Sequence, residues 1–223
     1  MTSDAIFKSV KDLPFARGQP PISKDLSTVI NFEIKNKKVT LFNVQDPSKV
    51  PKNLIITLQN EFNYVVEEGQ TYPYDEVKSF DSFVEYWFNY FASILIEGDY
   101  KSLNDSQLQN LSIDQWEDKF LGTFYVKPNY IGRCSHVCNA GFIVNHNKRG
   151  LGLGKILGTR YLEIAPKLGY VYSVFNLVFE TNVASLKIWD SLGFERIGYV
   201  KNVAVLKGYD KLIGAHMFGK DLQ

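Results

Sequence analysis

The sequence predicts a mixed α/β domain: a central sheet with helices on both of its sides. Three observations carry that expectation. Short β-branched or aromatic runs alternate with segments whose apolar residues recur at helical spacing. A polar, glycine-rich turn over residues 145–154 stands between one such run and one such segment. The 223 residues, 45% hydrophobic and 22% charged, have the average globular mix, with one compact domain the better prior.

Residues 1–27 hold Pro14, Pro20 and Pro21 amid mixed polarity and read as an irregular arm. Residues 28–223 read as the single domain. Residues 28–35 and 38–44 are β-rich and form a hairpin around the polar turn at Asn36 and Lys37. Pro51 suits the first turn of a helix, and Leu54, Ile55, Leu58, Phe62, Val65 and Val66 then recur at helical spacing up to Gly69. Residues 69–73 break that helix, and a second, short one covers 79–87. Residues 90–96 and 120–126 read as strands. The polar stretch 98–117 between them reads as a loop with at most one helical turn. Residues 137–144 form another strand. Ile156, Leu157, Tyr161, Leu162 and Ala165 set a helix over 155–168. Residues 171–179 are a buried strand by composition, and 182–192 an amphipathic helix ended by Gly193. Residues 194–200 and 215–219 close the sheet.

Composition excludes several function classes. With 25 Lys+Arg against 24 Asp+Glu, the net charge of +1 argues against bulk binding of nucleic acid. No apolar run approaches the roughly 18–20 residues of a membrane span. Two cysteines cannot build a disulfide framework, so a reducing compartment is expected. Residues 1–18 carry Asp4 and Asp12 and lack an apolar core, unlike a secretory signal. The expected location is cytoplasmic, with mitochondrial import left open. The 16 Phe and 13 Tyr point to a well-packed core and an aromatic-lined pocket.

The sharpest local signal is Arg149-Gly150-Leu151-Gly152-Leu153-Gly154-Lys155, after a predicted strand and opening a predicted helix. Three glycines let successive N–H groups turn inward, and the helix N-terminus adds its positive dipole end. The product is an anion cradle suited to a pyrophosphate. A P-loop is ruled out, because Arg149 stands where its first glycine belongs and Ile156 where its Ser or Thr belongs. The dinucleotide pattern survives only in a looser form, Gly152, Gly154 and Gly158, and lies too late in the chain. What remains is Arg-x-x-Gly-x-Gly. With the helix opened by Asn182-Val-Ala-Ser185 and closed by Leu192-Gly193-Phe194, it resembles the GCN5-related N-acetyltransferases over residues 120–200.

From about residue 60 onward the resemblance is closer to one subfamily. Leu121-Gly-Thr-Phe-Tyr-Val-Lys-Pro-Asn-Tyr130, Arg133-Cys-Ser-His136, Cys138-Asn-Ala-Gly-Phe142, Tyr172-Ser-Val-Phe-Asn-Leu-Val-Phe179, Gly69-Gln-Thr-Tyr-Pro73 and Phe218-Gly-Lys-Asp-Leu222 are similar to the fungal L-azetidine-2-carboxylate N-acetyltransferases. The superfamily resemblance implies a mostly antiparallel, twisted mixed sheet whose two splayed strands hold acetyl-CoA as co-substrate. Backbone groups of Phe142, Ile143 and Val144 would bond the pantetheine arm. Residues 149–155 would cradle the pyrophosphate, and Asn182 or Ser185 would touch the cofactor besides capping their helix. The subfamily implies a homodimer that acetylates the ring nitrogen of azetidine-2-carboxylate. Further candidate acceptors are 4-hydroxyproline and pyrroline-5-carboxylate/glutamate semialdehyde. The role would be detoxifying proline analogues and limiting oxidative stress.

Asn176 interrupts the apolar run 171–179, and a buried amide there must find partners or cost roughly 1–3 kcal/mol. The subfamily resemblance makes Asn139 and Asn176 the pair that orients the acceptor, with Tyr72 roofing its pocket. Packed core amides and a packed turn aromatic are the bland alternatives. Asparagine cannot take a proton, which leaves Glu67, Glu68 or His136 as acceptors, none strongly supported. The superfamily's usual thiolate-protonating Tyr is replaced by Trp189, which donates a hydrogen bond but is no usable acid. Tyr172 or solvent would serve instead. Cys134, His136 and Cys138 invite a zinc site. Steps of about 6.6–6.8 Å along one strand make convergence on one ion hard, so no metal is expected. The competing readings are acetylation of a polyamine, an amino sugar or a protein N-terminus, a non-catalytic acyl-CoA sensor, and a dinucleotide enzyme. The predicted pocket elements are not richly acidic, which counts against a polyamine.

Overall fold

The computed structural model describes residues 26–223, so the expected arm over 1–27 lies outside the described residues but for its last two. Strands β1 (Val29–Ile34) and β2 (Lys37–Val44) pair antiparallel. Lys35 and Asn36 take left-handed backbone, φ 49° and 66°, as a two-residue hairpin turn requires. The turn therefore sits one residue earlier than expected, and Lys37 already pairs with Ile34. Helix α1 (Lys52–Glu68) follows Pro51 at its N-cap and ends at left-handed Gly69. Helix α2 (Phe80–Phe88) is capped by Ser79, whose side chain accepts the Ser82 N–H.

After β3 (Phe91–Glu97) the chain departs from expectation. The stretch read as a loop contains a 3-10 turn (Ser106–Leu108) and a helix, α3 (Ile113–Lys119). Ser112 and Gln115 form a reciprocal capping box, and Trp116 is fully buried. One buried indole and one good cap suffice to hold seven residues helical in an otherwise polar stretch.

The remaining elements are β4 (Phe120–Pro128), β5 (Val137–Val144), α4 (Leu153–Ile164), β6 (Tyr172–Phe179), α5 (Val183–Ser191), β7 (Glu195–Ala204) and β8 (Ile213–Asp221). Helix α4 starts two residues before the expected 155 and stops four short of 168, two residues before Pro166. The last two strands run longer than expected, their register shifted twice by irregularities.

The eight strands form one sheet in the order β1-β2-β3-β4-β5-β6-β8-β7. Every neighbouring pair is antiparallel except β5 and β6. Both faces are covered, as the sequence predicts. On one, Leu157 and Tyr161 of α4 pack with Phe124, Val126 and Ala140. On the other, Leu58 and Phe62 of α1 and Phe83 and Trp87 of α2 pack with Ile94, Tyr125 and Ile143. Among the described residues, no helix is long and apolar enough to cross a membrane.

Candidate active site

Strands β5 and β6 pair at only two positions, Val137 with Tyr172 and Cys138 with Ser173, and then diverge. Two features hold the divergence. At its hinge the Tyr161 hydroxyl of α4 donates to Ser173 Oγ (2.6 Å) and meets Cys138 Sγ (3.0 Å), tying the strands where they still pair. Beyond it, the rings of Phe142, Phe175 and Trp189 pack edge-on or tilted against one another between α5 and the strands, with centroids 4.5–6.0 Å apart. They fill space that hydrogen-bonded strands about 4.7–4.9 Å apart would close. Trp189 is thus a core residue, wedged against Phe142, Phe175 and Phe194. The opened strand presents Phe142 and Val144 on the α4 face and buries Ile143 on the other.

The glycine turn lies at the mouth of this gap. Gly150 and Gly152 have φ 80° and 84°, backbone that favours glycine, and nothing stands within 4 Å of where their side chains would be. The first backbone bond of α4 runs from the Ile156 N–H to the Gly152 carbonyl. The N–H groups of Leu153, Gly154 and Lys155 precede it and have no helical partner. The Leu153 side chain itself is buried in the core, whereas Leu151 and Lys155 are exposed. Gly154 and Gly158 face α5, where a Cβ would crowd Ile188 and Leu192. Gly154 and Gly158, two of the three glycines that allow a dinucleotide reading, therefore serve helix packing. Open main chain over a helix N-terminus fits a pyrophosphate.

The turn is pinned from behind. Buried Glu61 of α1 accepts from the His146 backbone N–H (2.7 Å) and meets its Nδ1 (2.8 Å). Asn145 Nδ2 donates to the carbonyls of Glu117 and Phe120. Arg149 pairs with Glu68 at 2.6 and 3.0 Å, and this carboxylate holds the guanidinium pKa above its ordinary value. On the opposite wall Asn182 Oδ1 accepts the Ser185 N–H (3.1 Å), capping α5. Thr181 Oγ1, beside it, is buried without a hydrogen-bond partner among the described residues.

Asn139 and Asn176 converge, through a residue that sequence reasoning missed. Asn129, just past β4, accepts at Oδ1 from Asn139 Nδ2 (3.0 Å) and from Asn176 Nδ2 (2.6 Å). Its own Nδ2 donates to Asn176 Oδ1 (3.2 Å). The β6 register shift between Phe175 and Val178 falls at Asn176. All three amides are half-buried, and no hydrogen bond within the described residues uses Asn139 Oδ1.

Tyr72 lies on the same side. Gly141 is two residues beyond Asn139 on the same strand face, and a side chain there would strike Tyr125 and the Tyr72 hydroxyl. The Tyr72, Tyr86 and Tyr125 hydroxyls form a chain with links of 3.1 and 3.0 Å. Burial raises the pKa of all three, so they are neutral donors and acceptors at ordinary pH. Tyr74 joins the cluster, stacked on Tyr72, its pKa raised by burial to about 12. The segment between α1 and α2 is anchored at Lys78, whose main chain bonds Asn63 and Gln59.

The other candidates do not gather here. Glu68 is engaged with Arg149, and Glu67 is exposed at the end of α1. His136 precedes β5, where its carbonyl accepts the Val171 N–H. The Tyr172 hydroxyl lies against Gly219 of β8. Cys134 is exposed in a turn, whereas Cys138 is buried in β5, its thiol pKa pushed up by burial to about 12. No three His, Cys, Asp or Glu cluster like metal ligands among the described residues.

Known proteins match this architecture. The model of the acetyltransferase (GNAT) family matches residues 64–194. N-acetyltransferase aca1 of Schizosaccharomyces pombe is 39% identical over 170 residues, covering 76% of this chain and 81% of that protein. Protein SPT10 of Saccharomyces cerevisiae is 34% identical over 78% of this chain, a region amounting to 32% of its own length. Among solved structures, a GCN5-related N-acetyltransferase from Kribbella flavida superposes with a TM-score of 0.65 at 23% identity, covering 82% of this chain and 97% of that one. YncA of Salmonella typhimurium, solved with its cofactor acetyl-CoA, superposes at 0.62 with 15% identity, covering 82% and 94%.

Proposed function

From the premise that the chain belongs to the acetyltransferase (GNAT) family and is an acetyl-CoA-dependent N-acetyltransferase, we propose that its acceptors are small imino acids. The acetyl group passes from acetyl-CoA to the ring nitrogen of L-azetidine-2-carboxylate or 4-hydroxyproline, or, for pyrroline-5-carboxylate/glutamate semialdehyde, to the amine of the open-chain form; the C–S bond breaks, CoA leaves as its thiol, and the nitrogen loses one proton. Such an enzyme detoxifies proline analogues and limits oxidative stress. The observation that carries the reading is the amide cluster of Asn129, Asn139 and Asn176 beside the opening of β5 and β6. Three neutral amides orient an amine without charging it, and Asn139 Oδ1 offers an acceptor for its N–H.

Each half of the gap has its task. Backbone groups of Phe142, Ile143 and Val144 bond the pantetheine arm. Main chain of residues 149–155 cradles the pyrophosphate, with Asn182 and Ser185 at the facing helix end. Asn139 and Asn176 place the acceptor nitrogen, and Tyr72 roofs it. Rate comes from positioning and from N–H groups aimed at the developing oxyanion.

We also read residues 28–223 as one domain acting as a cytoplasmic homodimer. The edge strand β7 supports a dimer, exposing Ile197 (45%) and Val203 (38%), with Val205 (85%) just beyond it. The test of the acceptor class is acetyl-CoA-dependent thiol release with azetidine-2-carboxylate, proline, spermidine and glucosamine in parallel. Turnover centred on azetidine-2-carboxylate is expected. Turnover confined to spermidine or glucosamine would refute the acceptor class. Acetyl-CoA binding without turnover on any amine would mark a sensor.

A further inference from the structure

The acceptor side of the gap holds a cation without a counter-ion. Lys127 stands directly opposite Asn139 in the β4–β5 register, as Tyr125 stands opposite Gly141, so all four share one face of the sheet. Its Nζ lies 4.5 Å from the Tyr86 ring centroid and 4.7 Å from that of Tyr125. The side chain is half-buried, yet among the described residues no carboxylate and no hydrogen-bond acceptor meets the ammonium. A second ammonium stands close by: Lys78 Nζ is 5.0 Å from the same Tyr86 ring and 4.4 Å from that of Tyr74.

Two like charges over one ring repel, and partial burial sharpens the repulsion. Burial and Lys78 together press the Lys127 pKa below its ordinary value, and no acid offsets them. Ring faces compensate in part. The tyrosine hydroxyls cannot supply the missing charge, because burial keeps them protonated. An anion brought from outside would relieve the arrangement.

We propose that Lys127 is a specificity residue that binds the carboxylate of the acceptor, with Lys78 deepening the positive field. This inference rests on the imino-acid reading above. Cross-strand neighbours have Cβ atoms about 4.5–5.5 Å apart, so Lys127 and Asn139 can hold the two ends of one compact molecule. A molecule whose carboxylate lies two bonds from its nitrogen, as in an α-imino acid, suits that spacing. The same two ammonium groups repel a polyamine.

The test compares azetidine-2-carboxylate with its neutral carboxamide in steady-state thiol release. Wild type, Lys127→Met, Lys127→Gln and Lys127→Arg are assayed, with acetyl-CoA KM and melting temperature checking each fold. Wild type is expected to prefer the carboxylate. In Lys127→Met and Lys127→Gln the carboxylate KM should rise about 10- to 100-fold while the carboxamide KM stays put, the scale of a lost charge-assisted bond. Lys127→Arg should recover part of the preference. If both neutral variants keep the wild-type preference, the role of Lys127 is overturned and the imino-acid reading stands. If kcat falls alike on both acceptors with KM unmoved, Lys127 acts in proton removal and the proposal fails. If wild type prefers the carboxamide or takes neither acceptor, the imino-acid reading fails, and this inference with it.

Discussion

The two halves of the gap are made of different material. The proposed cofactor half is main chain: left-handed Gly150 and Gly152, the first N–H groups of α4 and the edge of β5 that stops pairing with β6 after Cys138. The proposed acceptor half is side chain: Asn129, Asn139, Asn176, Tyr72, Tyr86 and Lys127, drawn from five separate stretches of sequence. Main chain recognises what all acyl-CoA cofactors share, whereas side chains can be exchanged without disturbing the fold. Substitutions should therefore divide cleanly between the two, and the division can be broken in several places.

The largest effect is expected at Asn129. Its carboxamide oxygen serves both other asparagines, so Asn129→Ala releases both at once. Acceptor kcat/KM should fall about 100-fold, the scale of a misplaced reactant, with acetyl-CoA KM nearly unchanged. Next comes the hinge that the halves share. Tyr161→Phe strands buried Ser173 and Cys138 and should cost about 1–3 kcal/mol of stability, read by denaturant unfolding. On the cofactor side, Gly152→Ala forces a side chain into φ 84° at a cost of roughly 1–2 kcal/mol. It should raise acetyl-CoA KM about tenfold and leave acceptor KM alone. The smallest effect belongs to Tyr72→Phe, which removes one neutral hydrogen bond to Tyr86, worth about 0.5–1.5 kcal/mol, and should weaken the acceptor only severalfold. A shift of acetyl-CoA KM in Tyr72→Phe would blur the division.

The same difference in material governs what was legible in the sequence. Residues 149–155 are contiguous, and the strand before them and helix after them follow from period and composition, so the turn and its place between the two could be read directly. Asn176 betrayed itself as an amide inside an apolar strand. Lys127 and Asn129 did not. They flank Pro128 at the end of β4, where polar residues ordinarily mark a strand running into solvent. Their meaning depends on Lys127 facing Asn139 and on the bulge at Asn176, and neither pairing is encoded locally. Helix α3 was hidden differently: its polar surface masked a Ser112–Gln115 capping box that spacing alone could have found. Trp189 stood in the sequence only as a replacement for the superfamily's usual Tyr, and its burial among three ring neighbours places it in the core.

The most direct test of the central claim, that the amide cluster at the β5–β6 opening is the acceptor site, is one experiment on Asn176→Ala. Thiol release with azetidine-2-carboxylate and acetyl-CoA binding by calorimetry are measured on the same preparation. Turnover should collapse by about two orders of magnitude while acetyl-CoA affinity stays within severalfold of wild type. Wild-type turnover in the variant would place the acceptor elsewhere and contradict the account.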